Sequence, residues 1–152
     1  MARTIRLAIA AAVLAALALG TVSSAAAGGR KVFSSSMVGI STPNQVLFGV
    51  TGGGIAWDID EGSATLTADG RLHVEVQGLV LATAHINPIP TGRAILACGG
   101  VVEASTDPVT FSMSGDAEVD ATVSLTGPCL APAVFFAGVT TGGDRWFAVT
   151  GF

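Results

Sequence analysis

The chain has 152 residues, of which 50% are hydrophobic and 12% are charged. That length allows one ordinary domain, and the composition excludes a disordered or highly charged polypeptide. The formal net charge of −4 argues against nucleic acid as a partner, because binding to phosphate needs clustered Lys and Arg.

The N-terminal residues 1–27 have the features of a secretory signal peptide. Two arginines precede an apolar run over residues 7–20, which is shorter than the about 20 residues that a helix needs to cross a bilayer. Small residues at 25–27 satisfy the A-x-A rule and predict cleavage before Gly28 or one residue earlier. We therefore expect a secreted, extracellular protein, free or associated with the cell wall, with no membrane span after cleavage.

The mature chain is acidic and has two cysteines. Removal of the signal peptide takes away two basic residues and no acid, so five basic residues face eleven acidic ones and the net charge becomes −6. In an oxidising compartment we expect Cys98 and Cys129 to form a structural disulfide, which would stabilise the fold by about 3–4 kcal/mol for a loop of about 32 residues. A metal or redox pair is disfavoured, since the chain has no CxxC spacing.

The mature sequence reads as strands from residue 45 to its end. Val, Ile, Thr, Phe and Trp form short runs that Gly, Pro, Asp and Asn separate. The spacing of about ten residues between turn signals is typical of a sandwich or a closed sheet. The predicted strands cover residues 45–51, 55–60, 63–68, 71–76, 94–104, 109–114, 117–125, 133–139 and 145–150. Residues 28–40 are predicted to be a flexible lead-in to a single domain over 41–152.

The third and fourth of these strands form a hairpin whose register can be predicted. A two-residue loop would mix apolar and polar side chains on each face, whereas a three-residue loop over 68–70 places Leu66 opposite Leu72. The last loop residue is a glycine, as a type I turn followed by a bulge requires. His73 and Glu75 then point to solvent.

The strand at 117–125 predicts the architecture. Its alanines, valines and leucine share one face, while Asp116, Glu118 and Asp120 share the other. One dry and one wet face are typical of a half-buried antiparallel sheet, and two such sheets cover each other. We therefore expect an all-β, Ig-like, two-layer antiparallel β-sandwich of about eight or nine strands.

Two acidic patterns are candidate calcium sites, and neither is favoured. Alternate strand residues stand about 6.5–7 Å apart, which is too far for the ladder Asp116, Glu118 and Asp120 to share one ion, so a solvated face is the preferred interpretation. A second set, Asp58, Asp60 and Asp69, has the spacing of a calcium-binding loop but lacks its glycine and final glutamate. No metal or cofactor is expected.

No catalytic constellation is recognisable. The chain has no G-x-S-x-G motif, and its two histidines do not form a zinc set of ordinary spacing. His73 is expected to be exposed on a strand, whereas His85 lies in a connection over 81–90 where a functional histidine is conceivable. We expect a turn histidine without a special role and assign no catalytic residue.

Aromatic side chains concentrate near the C-terminus at Phe135, Phe136, Trp146 and Phe147. Strand alternation sends adjacent residues to opposite faces, so some of these side chains leave the core unless both faces are covered. Core packing is the preferred interpretation, and an exposed aromatic strip that binds a partner is the alternative.

The chain resembles a group of small secreted all-β proteins from actinomycetes, and this resemblance implies no known activity. It rests on matching pieces over most of residues 45–152, including 77–81, 87–90, 93–98, 127–132 and 146–148. A shorter stretch, 62–97, is similar to chordin-type (CHRD) domains, in which a DG-x-L-x-V-x-V-x-G-L run leads to an AHIH motif. Here Ala84, His85 and Ile86 match that motif but the next residue is Asn87, so no function is carried over.

These patterns together predict a secreted, non-enzymatic module that binds another protein or a cell-envelope component. One alternative is a calcium-dependent adhesive module that uses the acidic strand or Asp58 and Asp60. The other is a small secreted hydrolase that uses His85.

Overall fold

The computed structural model describes residues 29–151, so the predicted signal peptide lies outside the described residues. The described part is all-β and contains the strands β1 (Lys31–Gly39), β2 (Val46–Leu47), β3 (Val50–Thr51), β4 (Trp57–Asp58), β5 (Glu61–Thr67), β6 (Arg71–Gln77), β7 (Val80–Leu81), β8 (Thr91–Cys98), β9 (Val101–Ser105), β10 (Val109–Thr110), β11 (Ala117–Thr122), β12 (Ala133–Thr140) and β13 (Gly143–Thr150). None of these residues forms a helix long and apolar enough to cross a membrane.

Nine of the strands form one antiparallel sheet in the order β10-β8-β12-β13-β1-β5-β6-β11, with β9 beside β10 on the same edge of β8. The remaining four form two short ribbons, β2-β3 and β4-β7. The all-β antiparallel fold is therefore confirmed. The sheet curls so that buried side chains from both of its halves meet in one hydrophobic core.

Strand β1 joins the two halves of the sheet. Its first part pairs with β5 and its last part pairs with β13. The predicted flexible lead-in over 28–40 is therefore wrong, because residues 31–39 are a central strand. The strand was missed because only Met37 is fully buried in it and three serines occupy its middle, which hides the apolar alternation. Once β1 is included, the two layers are continuous.

The hairpin β5-β6 has the predicted register. Leu66 lies opposite Leu72 and both are buried. Gly70 has a φ of 85°, which is left-handed, and a Cβ there would collide with the carbonyl oxygen of Val123. Glu75 is exposed and His73 is half-buried.

Two of the predicted strands are hairpins. The run 45–51 turns at Phe48 and Gly49, which both have positive φ (48° and 81°), as a type I′ turn requires. The run 94–104 turns at the glycine pair 99–100 between β8 and β9. Three other predicted strands are shorter than expected, since only residues 57–58, 109–110 and 117–122 of them pair.

The C-terminal aromatic side chains are buried, so the alternative of an exposed aromatic strip is wrong. Phe135, Phe136, Trp146 and Phe147 are each at most 3% exposed. Both faces of β12 and β13 are covered, and for that reason adjacent aromatic residues are all accommodated.

One face of β12 and β13 packs against the core inside the curled sheet, and the other face packs beneath the β2-β3 hairpin. In the curl, Trp57 stacks on Phe147 with 3.9 Å between ring centroids. Outside it, the rings of Phe48 and Phe135 meet edge to face, with 6.2 Å between their centroids. The indole N–H of Trp146 donates to carbonyl oxygens of this hairpin region, including that of Val50 at 3.2 Å.

The predicted disulfide is confirmed. Cys98, the last residue of β8, is bonded to Cys129, with a Cα–Cα distance of 5.0 Å. The bond ties the core sheet to the long connection between β11 and β12.

Candidate functional site

The two end strands of the curled sheet face each other across a cleft, which we call the seam. On one side is β11, and on the other is the edge formed by β9 and β10. The cleft has a volume of about 560 Å³. Its lining comprises residues 103–107, Val109 and residues 119–124.

The seam has an apolar floor and an acidic rim. Val119 is buried, and Ala104 and Ala121 are half-buried against the core. The rim carries Glu103, Asp107 and Asp120, and none of the described residues that line the cleft is basic. The seam is therefore a negatively charged slot with small apolar side chains at its base.

At one end of the seam β10 and β11 approach each other closely, and at the other end a pair of hydrogen bonds links its wall to residue 126. Residues of β10 and β11 come within 8 Å of each other by Cα–Cα distance but form no backbone ladder. At the other end, the carboxylate of Glu103 accepts hydrogen bonds from the backbone N–H and the hydroxyl of Thr126, at 2.8 and 2.7 Å. Both bonds hold the pKa of Glu103 below its ordinary value, and the bond from the Thr126 hydroxyl has the larger effect.

A histidine and two carboxylates meet on the outer face of β6 and β11. His73 lies directly opposite Asp120 in the ladder, and its Nδ1 is 2.7 Å from Asp120 Oδ1 and 4.0 Å from Glu118 Oε1. One ligand atom from each residue lies within 4.8 Å of the others. The side chain of His73 is 41% exposed, that of Asp120 is 71% exposed and that of Glu118 is 63% exposed.

The rest of this outer face is polar and carries uncompensated charge. Glu75 lies directly opposite Glu118, an arrangement of like charges that destabilises a sheet. Within the described range, no basic side chain forms an ion pair with Glu75, and His73 is the one basic side chain that approaches Glu118 within 4.0 Å. A cation bound beside Glu118 would relieve this repulsion.

The acidic ladder does not act as one unit. Asp116 belongs to a turn in which it accepts hydrogen bonds from the hydroxyl of Ser114 at 2.6 Å and from the backbone N–H of Gly78 at 3.0 Å. Both bonds lower the pKa of Asp116, and the bond from the Ser114 hydroxyl has the larger effect. Asp116 therefore does not share a site with the other two carboxylates, in agreement with the spacing argument, whereas Glu118 and Asp120 both lie close to His73.

The second acidic set is dispersed over the described structure. Asp69 sits in the β5-β6 hairpin, where the hydroxyl of Thr67 is the main cause of its lowered pKa, and Arg71 approaches it at 3.4 Å. Asp60 lies beside Gly78. The chance match to a calcium loop therefore brings no ligand set together in residues 29–151.

His85 is exposed in the turn that follows β7 and has a positive φ of 53°. Asn87, two residues on, is buried instead and donates to the carbonyl oxygens of Ile89 and Ser112 at 2.7 and 2.8 Å. The two positions that are histidines in the AHIH motif therefore face different environments here, and Asn87 has a structural role.

No protein-family model, no curated protein and no solved structure matches the chain. The resemblances to actinomycete proteins and to CHRD domains stay predictions. Sequence reasoning missed both the seam and the partnership of His73 with Asp120, because each depends on which strands become neighbours. The only signal in the sequence was the placement of His73 and the acidic residues on outward-facing strand positions.

Proposed function

We propose that the chain is a secreted, non-enzymatic β-sheet module that binds an extracellular or cell-envelope protein through the seam. The observation that carries the proposal is that, among residues 29–151, both end strands of the main sheet lack a backbone partner along the edge that faces the cleft. The acidic net charge of the mature chain and its disulfide fit an extracellular setting.

Open strand edges are the basis of this proposal because they bind extended segments of other proteins. In an antiparallel strand paired on one side, alternate N–H and C=O groups point away from the partner strand. Such groups pair readily with an added strand, which is a common mode of peptide recognition. In this chain the two edges share one cleft, so a single bound segment can contact both.

The test is hydrogen exchange on the exported protein, with and without an envelope fraction from the organism that produces it. Binding at the seam slows exchange of the outward amides of β9 and β11, while the amides of the β2-β3 ribbon are unchanged. Binding with protection elsewhere, or no binding to envelope or secreted proteins, would overturn the proposal.

A second candidate function is binding of a divalent transition-metal ion by His73, Glu118 and Asp120. The present separations of 2.7 and 4.0 Å from His73 Nδ1 bracket the ligand–ligand distances of about 3.0–3.4 Å that follow from metal–ligand bonds near 2.1 Å. The imidazole favours Zn²⁺ or a similar ion over Ca²⁺, which prefers oxygen ligands. Water would complete the coordination on the exposed side.

The metal candidate is tested by thermal unfolding with added Zn²⁺ or Ca²⁺, because an ion that binds the native state raises the melting temperature. We expect Zn²⁺ to raise it in the wild type and in H85Q, which removes the other histidine, but not in H73Q. An equal rise in both variants would mean that the ion binds elsewhere, and no rise in the wild type would exclude the site.

A further inference from the structure

We propose that the partner of the seam is a single extended peptide segment in which small apolar residues alternate with Lys or Arg. The segment binds between β9 and β11 as an additional strand. This inference rests on the proposed function and specifies the chemistry of the partner.

The backbone geometry sets the length of the segment. Paired strands lie about 4.8 Å apart, so two strands that flank a missing one stand nearly 10 Å apart. The approach of β10 and β11 to within 8 Å leaves no room for a strand at that end, where Pro108 also interrupts the edge. The segment therefore lies against β9 and β11, which have 5 and 6 residues.

The side chains that line the seam determine which positions of the bound segment are apolar. A strand directs alternate residues to opposite faces, and here one face meets Ala104, Val119 and Ala121 while the other meets solvent. Small floor residues leave space for apolar side chains of the size of valine. The inward positions of the segment are therefore apolar.

The negative charge of the rim determines which residue types suit the outward positions of the bound segment. Glu103, Asp107 and Asp120 line the slot, and within the part of the chain that the structure describes no basic residue lines it. Lys or Arg at outward positions would pair with them, and the attraction would weaken with added salt. A second copy of the chain is disfavoured as the occupant, because its free edge β11 carries Glu118 and Asp120 and would be repelled.

The experiment uses the exported protein and a synthetic peptide of alternating valine and lysine, about six residues long to match β11. Its controls are a peptide of alternating valine and glutamate and the valine–lysine peptide with a central proline, which cannot donate along the strand. We expect binding, measured by isothermal titration, for the first peptide only. Binding of all three or of none overturns the proposal.

Variants locate the bound peptide. Ala121→Phe fills the floor of the seam and should abolish binding, whereas Ala117→Phe is the matched control, since Ala117 is half-buried in the same strand but does not line the cleft. Asp107→Asn should weaken binding by about 1.5- to 5-fold, the range for one exposed charge. Asp58→Asn should not, because Asp58 is exposed but does not line the seam. Circular dichroism and melting temperature confirm that each variant folds.

The outcomes separate the partner chemistry from the proposed function. If Ala121→Phe abolishes envelope binding while the valine–lysine peptide does not bind, the seam is the binding site and the basic segment is wrong. If Ala121→Phe leaves envelope binding intact, the seam itself is wrong. If the protein instead dimerises through β11 in solution, as light scattering with and without Ala121→Phe would reveal, a second copy is the occupant and the proposal fails.

Discussion

Replacement of Asn87 by aspartate exchanges one NH₂ group for an oxygen in the core. The side chain of Asn87 is only 2% exposed. Its amide donates to the carbonyl oxygens of Ile89 and Ser112, at 2.7 and 2.8 Å, and its oxygen accepts from the N–H of Ile89 at 2.8 Å. An aspartate preserves the accepted bond but turns an oxygen toward two carbonyl oxygens.

The cost follows from these two lost donations. The carbonyl oxygen of Ser112 still accepts from the N–H of Gly115 at 3.0 Å, so the substitution leaves only the carbonyl oxygen of Ile89 unsatisfied within the described residues. One unsatisfied acceptor costs about 1–3 kcal/mol near neutral pH, before the cost of burying the charge. That is a sizeable part of the roughly 5–15 kcal/mol by which domains are stable. The environment of the new carboxyl opposes ionisation and raises its pKa above the ordinary value of about 3.9. The destabilisation is therefore smallest below that pH and grows by about 1.4 kcal/mol per pH unit until the folded-state pKa is reached.

The assay is urea unfolding followed by the fluorescence of the buried Trp57 and Trp146, at several pH values. The matched control is Asn44→Asp, at an exposed turn position, which should change the free energy of unfolding by no more than about 0.5 kcal/mol. If Asn87→Asp behaves like this control near neutral pH, or if its deficit does not shrink in acid, the structural role assigned to Asn87 is wrong.

Three further predictions concern the disulfide, a turn and a strained residue. Joint replacement of Cys98 and Cys129 by alanine should lower the free energy of unfolding by about 3–4 kcal/mol in urea titrations, and a loss below about 1 kcal/mol would contradict the chain-entropy argument. The lowered pKa of Asp116 contributes stability above about pH 3.9 that is lost as the pH falls through the folded-state value. Asp116→Asn should therefore flatten the acid limb of the melting-temperature profile, and an unchanged slope would refute this. Because the φ of Phe48 is left-handed at 48°, Phe48→Gly should be about 1 kcal/mol more stable than Phe48→Ala, and the reverse order in urea would show that the turn is not strained.

The sequence allowed local features to be predicted where side-chain pattern and turn chemistry agree. The β5-β6 hairpin is one case, since its register is fixed by the apolar face and by a glycine with the required left-handed φ. The disulfide is another, since only one pairing of two cysteines is possible. Both depend on few residues and on no knowledge of strand order.

Features that depend on long-range neighbours could not be predicted. In strand β1, Ser34 and Ser36 lie on the polar outer face beside β5, and Ser35 occupies an inward position opposite the buried Ala64. The strand therefore lacks the apolar pattern of a central strand. His73 and Asp120 are separated by 47 residues, and only the pairing of β6 with β11 brings them together. Adjacent aromatic residues in β12 were ambiguous because alternation does not reveal that a small hairpin covers the second face.

The acidic residues of the edge strands have two possible explanations, and the floor of the seam distinguishes them. Charges on edge strands prevent association between sheets, and that purpose alone would explain Glu118 and Asp120. It does not require a slot between two open edges, nor small apolar residues such as Ala104 and Ala121 at its base. Protection alone would be served equally well by larger side chains that close the gap and complete the core. The combination of open edges, a small apolar floor and an acidic rim therefore favours a surface that repels other sheets but accepts a basic extended segment.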